Sequence, residues 1–141
     1  MNPSVAISGS TVVEVHNAVN GVGPLRYRVG QINTSSNTIT WANYNQAMQY
    51  DNGLNPTVAI TYSDVYPLVE VHNGGYGVAP LWYHVGYFNE AGTITWEEGA
   101  QYDNGMNPCV AGVGLSVVEV HDGIHGVGPM WYRVAQLPYI Q

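Results

Sequence analysis

The chain contains no lysine, and its only permanent cations on side chains are Arg26, Arg28 and Arg133. Ten carboxylates stand against them, for a formal charge of −7. A phosphate backbone would be repelled by that balance, so nucleic acid is not an expected partner. One cysteine, Cys109, excludes an internal disulfide. It takes the place that Ser4 and Thr57 hold in a repeated motif, which reads as a small packed side chain and not as a catalytic thiol. No apolar run approaches the roughly 20 residues of a membrane-spanning helix. No segment has a convincing helical pattern, and residues 41–48 are too short and uncapped. The opening Met-Asn-Pro-Ser-Val belongs to a repeat and not to a signal peptide, so a cytoplasmic or non-classically secreted protein is expected.

What the chain has instead is repetition. Asn2-Pro3-Ser4-Val5-Ala6, Asn55-Pro56-Thr57-Val58-Ala59 and Asn107-Pro108-Cys109-Val110-Ala111 open three copies of one pattern. Each continues with Val-Glu-Val-His, ending at His16, His72 and His121, and then with a Tyr-x-Val segment around Tyr27, Tyr83 and Tyr132. Such periods mark units that cannot bury their apolar faces alone. The 141 residues form a single domain, with repeats at 1–54, 55–106 and a truncated 107–141. The third copy has no counterpart of Thr38-Ile39-Thr40-Trp41 or Thr93-Ile94-Thr95-Trp96.

Alternation of apolar and polar residues makes each segment a β-strand. Val13 and Val15 take one face and Glu14 and His16 the other, while Leu25, Tyr27 and Val29 point inward. Tyr50-Asp51-Asn52-Gly53 and Tyr102-Asp103-Asn104-Gly105 read as tight turns, because Asn-Gly favours them. Four strands per copy give about twelve, with residues 137–140 as a candidate last strand. The expected architecture is all-β, a β-trefoil closed within one chain. The alternative is half of a six-bladed β-propeller completed by a dimer.

Aligning the outward faces of the central hairpin pairs Glu14 with Arg28, Glu70 with His84 and Glu119 with Arg133. The same register pairs His16 with Arg26, His72 with Trp82 and His121 with Trp131. One reading of this face is mutual neutralisation across the hairpin. Another is a shallow sugar site, with Trp82 and Trp131 as platforms and His72 and His121 beside them. Asn17, Asn73 and Asp122 enter the glycine-rich loops after these strands, as turn caps or as hydroxyl binders. Asp51, Asp103 and Asn104 are similarly divided between local backbone bonds and sugar hydroxyls. Glu-x-His supplies only two metal ligands per copy, so no metal site and no cofactor are expected. No nucleophile, base and orienting group recur together, so the chain reads as non-enzymatic. Copy two is the most complete.

With these motifs in hand, the chain resembles the mushroom family that contains the lectin-like light subunit of tyrosinase and a related mannose-binding protein. The resemblance covers the length, the threefold repetition and the acidity. It implies a β-trefoil without catalytic activity, mannose-type sugar binding in one branch, and docking on an enzyme in the other. The Gln-x-Trp signature of ricin-type trefoils is missing, with Thr-Ile-Thr-Trp in its place. The expected function is therefore weak, multivalent carbohydrate binding, with service as an enzyme's partner subunit as the alternative.

Overall fold

A computed structural model describes residues 1–42, 46–124 and 128–138. Among them are eleven strands and no helix, hence no helix long and apolar enough to cross a membrane. The strands are β1 (Ser4–Ser8), β2 (Thr11–Asn17), β3 (Gly23–Asn33), β4 (Thr38–Trp41), β5 (Met48–Ile60) and β6 (Leu68–Asn73). They continue as β7 (Ala79–Phe88), β8 (Ile94–Trp96), β9 (Ala100–Val113), β10 (Ser116–Asp122) and β11 (Met130–Gln136). All pairings are antiparallel and follow one open path, β1-β2-β3-β5-β6-β7-β9-β10-β11, with β4 beside β3 and β8 beside β7. The expected twelfth strand lies partly outside the described residues.

The hairpin registers are those that the alternation dictates. Glu14 faces Arg28, Glu70 faces His84 and Glu119 faces Arg133. The histidine partners Arg26, Trp82 and Trp131 also fall as expected. The Asp-Asn-Gly segments do not. Each lies inside a long strand, in which Asp51, Asn52 and Gly53 pair with Leu25, Pro24 and Gly23. Asp103, Asn104 and Gly105 pair with Leu81, Pro80 and Ala79. The glycine serves close approach instead of a turn. A Cβ on Gly53 would come within 2.5 Å of His72 Cδ2, and one on Gly105 within 2.5 Å of His121 Cδ2.

β5 and β9 each belong to two sheets. The first half of β5 closes the sheet of β3 and the second half opens the sheet of β6, with a register shift between Leu54 and Thr57. Asn55 sits in that shift at φ 53°, in the left-handed region that Asn2 and Asn107 also adopt, at φ 48° and 52°. Their side chains form a chain of hydrogen bonds, Asn2 to Asn55 to Asn107 to Asp122. The apolar cores lie between successive copies. One joins Val13, Val15, Tyr27 and Val29 to Val58, Leu68 and Ile94. The other joins Ala59, Val69 and Val71 to Val110 and Val117.

Packing copy against copy changes the face expected to be outward. Glu70, His72, Glu119 and His121 are all buried, because the preceding copy's Tyr50-Asp51 or Tyr102-Asp103 segment reaches them. Glu14 and His16, with no preceding copy over them, keep partial exposure.

Candidate functional site

The junction of the first two copies brings together the richest set of polar and aromatic side chains. Asp51 is half-exposed on β5, and its Oδ1 accepts the Asn52 backbone N–H at 2.7 Å. Its Oδ2 lies 2.7 Å from His84 Nε2 and 3.6 Å from His72 Nε2. The two imidazoles are nearly parallel, with centroids 5.8 Å apart. His72 Nδ1 is 3.1 Å from Glu70 Oε2, and His84 Nδ1 is 2.9 Å from the Glu97 carbonyl. A carbonyl only accepts, so His84 Nδ1 carries a hydrogen and presents Nε2 to Asp51.

The surroundings hold both rings in place. Tyr50 and Trp96 meet the His84 ring edge-on, and a Cβ on Gly99 would fall 2.6 Å from it. Tyr50 also stacks on Trp96 at 5.1 Å. Burial favours the neutral form of Asp51, yet the His84 bond, the Asn52 N–H and both imidazoles outweigh it and lower its pKa. Burial would lower the pKa of His72; the bond and charge of Glu70, with Asp51, turn the net shift upward. Burial first, then the adjacent Glu70 carboxylate, holds the Tyr50 phenol neutral well above its usual range. Glu70 Oε1 is itself buried with no hydrogen-bond partner among the described residues.

Above this layer lies an open cleft of about 430 Å³ whose lining includes Asp51, His84, Trp82, Trp96, Glu97 and Glu98. A narrower cleft of about 280 Å³ lies between the second and third copies, against Val71, Tyr83, Val110 and Val134. Its walls are mostly apolar, although Glu119 and Arg133 also line it.

The sequence candidates sort by depth. Trp82 and Asp51 meet at the open cleft, while His72 lies buried behind Asp51. Asn17 and Asn73 are also buried, each clamping the long strand that follows its own sheet. Asn17 donates to the Gly53 carbonyl and accepts from the Asn55 N–H, and Asn73 does the same with Gly105 and Asn107. Asn17 also donates to the Gly21 carbonyl within its own loop, as the turn-cap reading expects, but both residues reach farther than that role requires. Asp122 accepts from the Asn107 side chain, and Asn104 from Gln101.

The third copy arranges the equivalent groups differently. Asp103 Oδ2 receives Arg133 Nη2 at 2.6 Å and Nε at 3.0 Å, and lies 3.7 Å from His121 Nε2. Trp131 is exposed beside His121. In the first copy Arg28 binds Glu14 and lies 4.4 Å over the Trp41 ring. His84 thus stands where the other copies have a guanidinium. The sequence pairs His84 with Glu70 across the hairpin, as observed, marks Glu97 with Glu98 as a solvated turn, and does not single out Tyr50 or Trp96. The recurrence of Tyr50 as Tyr102 and of Trp96 as Trp41 was the signal available, but Asp51 and His84 meet only through packing between copies.

The sequence matches no protein-family model and no curated protein.

Proposed function

We propose that the protein is a non-catalytic, lectin-like carbohydrate binder whose main site is the cleft above Asp51. The observation that carries this reading is the joint presence there of two indole side chains, Trp82 and Trp96, with the carboxylates Asp51, Glu97 and Glu98. A sugar ring offers an apolar C–H face to an aromatic platform and hydroxyl pairs to carboxylates. The preferred ligand is a mannose-type sugar, in keeping with the family resemblance. Thermal shift against a panel of monosaccharides at tens of millimolar tests it. A stabilising shift with mannose that Trp82→Ala removes supports the reading, and no shift with any sugar refutes it.

For the closed form of the fold we propose a ring completed by a second copy. The open strand path has β1 and β11 at opposite ends, and those ends expose the two halves of an interface used twice inside the chain. Val5 is 58% exposed where its counterpart Val58 is 4%, and Tyr132 is 72% exposed where Tyr27 is 3% and Tyr83 38%. Ser4 Oγ accepts the Val58 N–H and Thr57 Oγ1 the Val110 N–H, while Cys109 at the equivalent place is exposed. A solution mass of twice 15.3 kDa, reduced to one chain by Tyr132→Asp, is expected. A monomer in which that substitution has no effect favours the single-chain trefoil. An enzyme partner on the same face would instead leave the pure chain monomeric.

A further inference from the structure

We infer that Asp51, His72 and His84 form a binding site for a divalent transition-metal ion of the zinc class. This goes beyond the carbohydrate reading and does not depend on it. These three residues are the one group of such ligands among the described residues whose donor atoms converge, all within 4.8 Å of one another. Tetrahedral zinc with bonds of about 2.0–2.1 Å sets neighbouring ligand atoms roughly 3.3 Å apart. The separations from Asp51 Oδ2, 2.7 Å to His84 and 3.6 Å to His72, straddle that distance. The three donor atoms therefore need to rearrange only within the 4.8 Å that already encloses them.

Three further features fit a metal better than a simple ion pair. Each imidazole spends its Nδ1 on an acceptor, Glu70 for His72 and the Glu97 carbonyl for His84. That outer contact is the one that orients metal-bound histidines and directs Nε2 to the ion. The charge also calls for a cation. The Asp51 and Glu70 carboxyl groups flank the two imidazoles, and Glu70 is fully buried with one oxygen lacking a hydrogen-bond partner. Buried charge of that kind is costly without a counterion. The third copy supplies the comparison, since there Arg133 brings a permanent positive charge to Asp103. In the second copy the guanidinium is replaced by an imidazole, and a divalent ion would take its electrostatic place. Asp51 and His84 line the open cleft, which gives the ion an entry path and leaves a coordination position facing solvent.

Zinc uptake by the chelator-stripped full chain, with no sugar present, tests the site by calorimetry and elemental analysis. Wild type should take one equivalent of Zn²⁺, and Co²⁺ should give visible d–d absorption. His84→Arg, which copies the third repeat and so should fold, and Asp51→Asn should each lose that equivalent. Glu70→Gln should weaken binding about 10–100-fold. Arg133→His should build a second site with Asp103 and His121 and raise the stoichiometry to two. Zinc uptake by wild type no greater than by His84→Arg overturns the proposal. If His84→Arg fails to fold, undiminished binding by Asp51→Asn or an unchanged stoichiometry in Arg133→His overturns it equally. Sugar binding that fails while zinc is bound sinks only the carbohydrate reading.

Discussion

Replacing Tyr27 with phenylalanine should destabilise the protein far more than the same change at Tyr83 or Tyr132. The Tyr27 hydroxyl donates to the Ile94 carbonyl at 3.0 Å and accepts the Ile94 N–H at 3.2 Å. Among the described residues β8 pairs only with β7, so this side chain of the first copy takes the place of a neighbouring strand for the second. Removing it leaves a buried donor and a buried acceptor, each costing about 1–3 kcal/mol, partly offset because the hydroxyl no longer needs desolvation. A net loss of about 2–3 kcal/mol follows, or roughly 6–12 °C in Tm for a chain of this size. Tyr83 and Tyr132 have no such strand to hold, because the third copy lacks the Thr-Ile-Thr-Trp segment. Both are exposed and should change stability by no more than about 0.5 kcal/mol. Urea titrations of the three variants, with equal m values, measure the difference. A Tyr27→Phe loss below about 0.5 kcal/mol, or one matched by Tyr83→Phe, refutes the bridging role.

Gly53→Ala should cost about 1–3 kcal/mol by driving a methyl group into His72 and the Asn73 carbonyl. Gly75→Ala, whose Cβ would stand 3.4 Å from Ala79, is the near-neutral comparison in the same thermal melts. Asn73→Ala strands the Gly105 carbonyl and the Asn107 N–H, with an expected loss of about 2–4 kcal/mol in urea titration. The Arg133 hydrogen bond, then the Asn104 N–H, lowers the pKa of Asp103 in the folded chain. A depressed folded pKa gives stability that is present above the unfolded value, about 3.9, and is lost as pH falls through the folded value. The Tm deficit of Arg133→Gln should therefore be constant above about pH 5 and shrink below pH 4; a deficit that grows on acidification contradicts the pairing.

The hairpins were legible because alternation and a constant offset determine register without reference to the rest of the molecule. A one-residue slip would have put Val13 opposite Arg28 and turned every apolar side chain outward. Depth was not legible. Alternation separates two faces of a strand but does not say which meets water, and in β6 both are covered. Asn-Gly misled for a related reason. The dipeptide suits a turn through backbone freedom, yet Gly53 and Gly105 are glycines because a histidine of the next copy packs on them.

Copies that share a backbone can share a scaffold while differing in charge, and the site depends on that difference. Glu-x-His recurs three times, so the first carboxylate and imidazole are common to all copies and cannot by themselves distinguish one. The residue at the Arg28, His84 and Arg133 position decides. Arginine carries its charge at every accessible pH and can donate twice to a carboxylate, as Arg133 does through Nε and Nη2 to Asp103 Oδ2. Histidine delivers one nitrogen and no obligatory charge, which leaves Asp51 with unused acceptor capacity beside an aromatic-walled cleft. A single exchange thus converts a closed salt bridge into a group able to take a cation or a hydroxyl. If that is the logic of the chain, then swapping the two residues between copies, His84→Arg together with Arg133→His, should move the zinc equivalent from the first junction to the second without altering the fold.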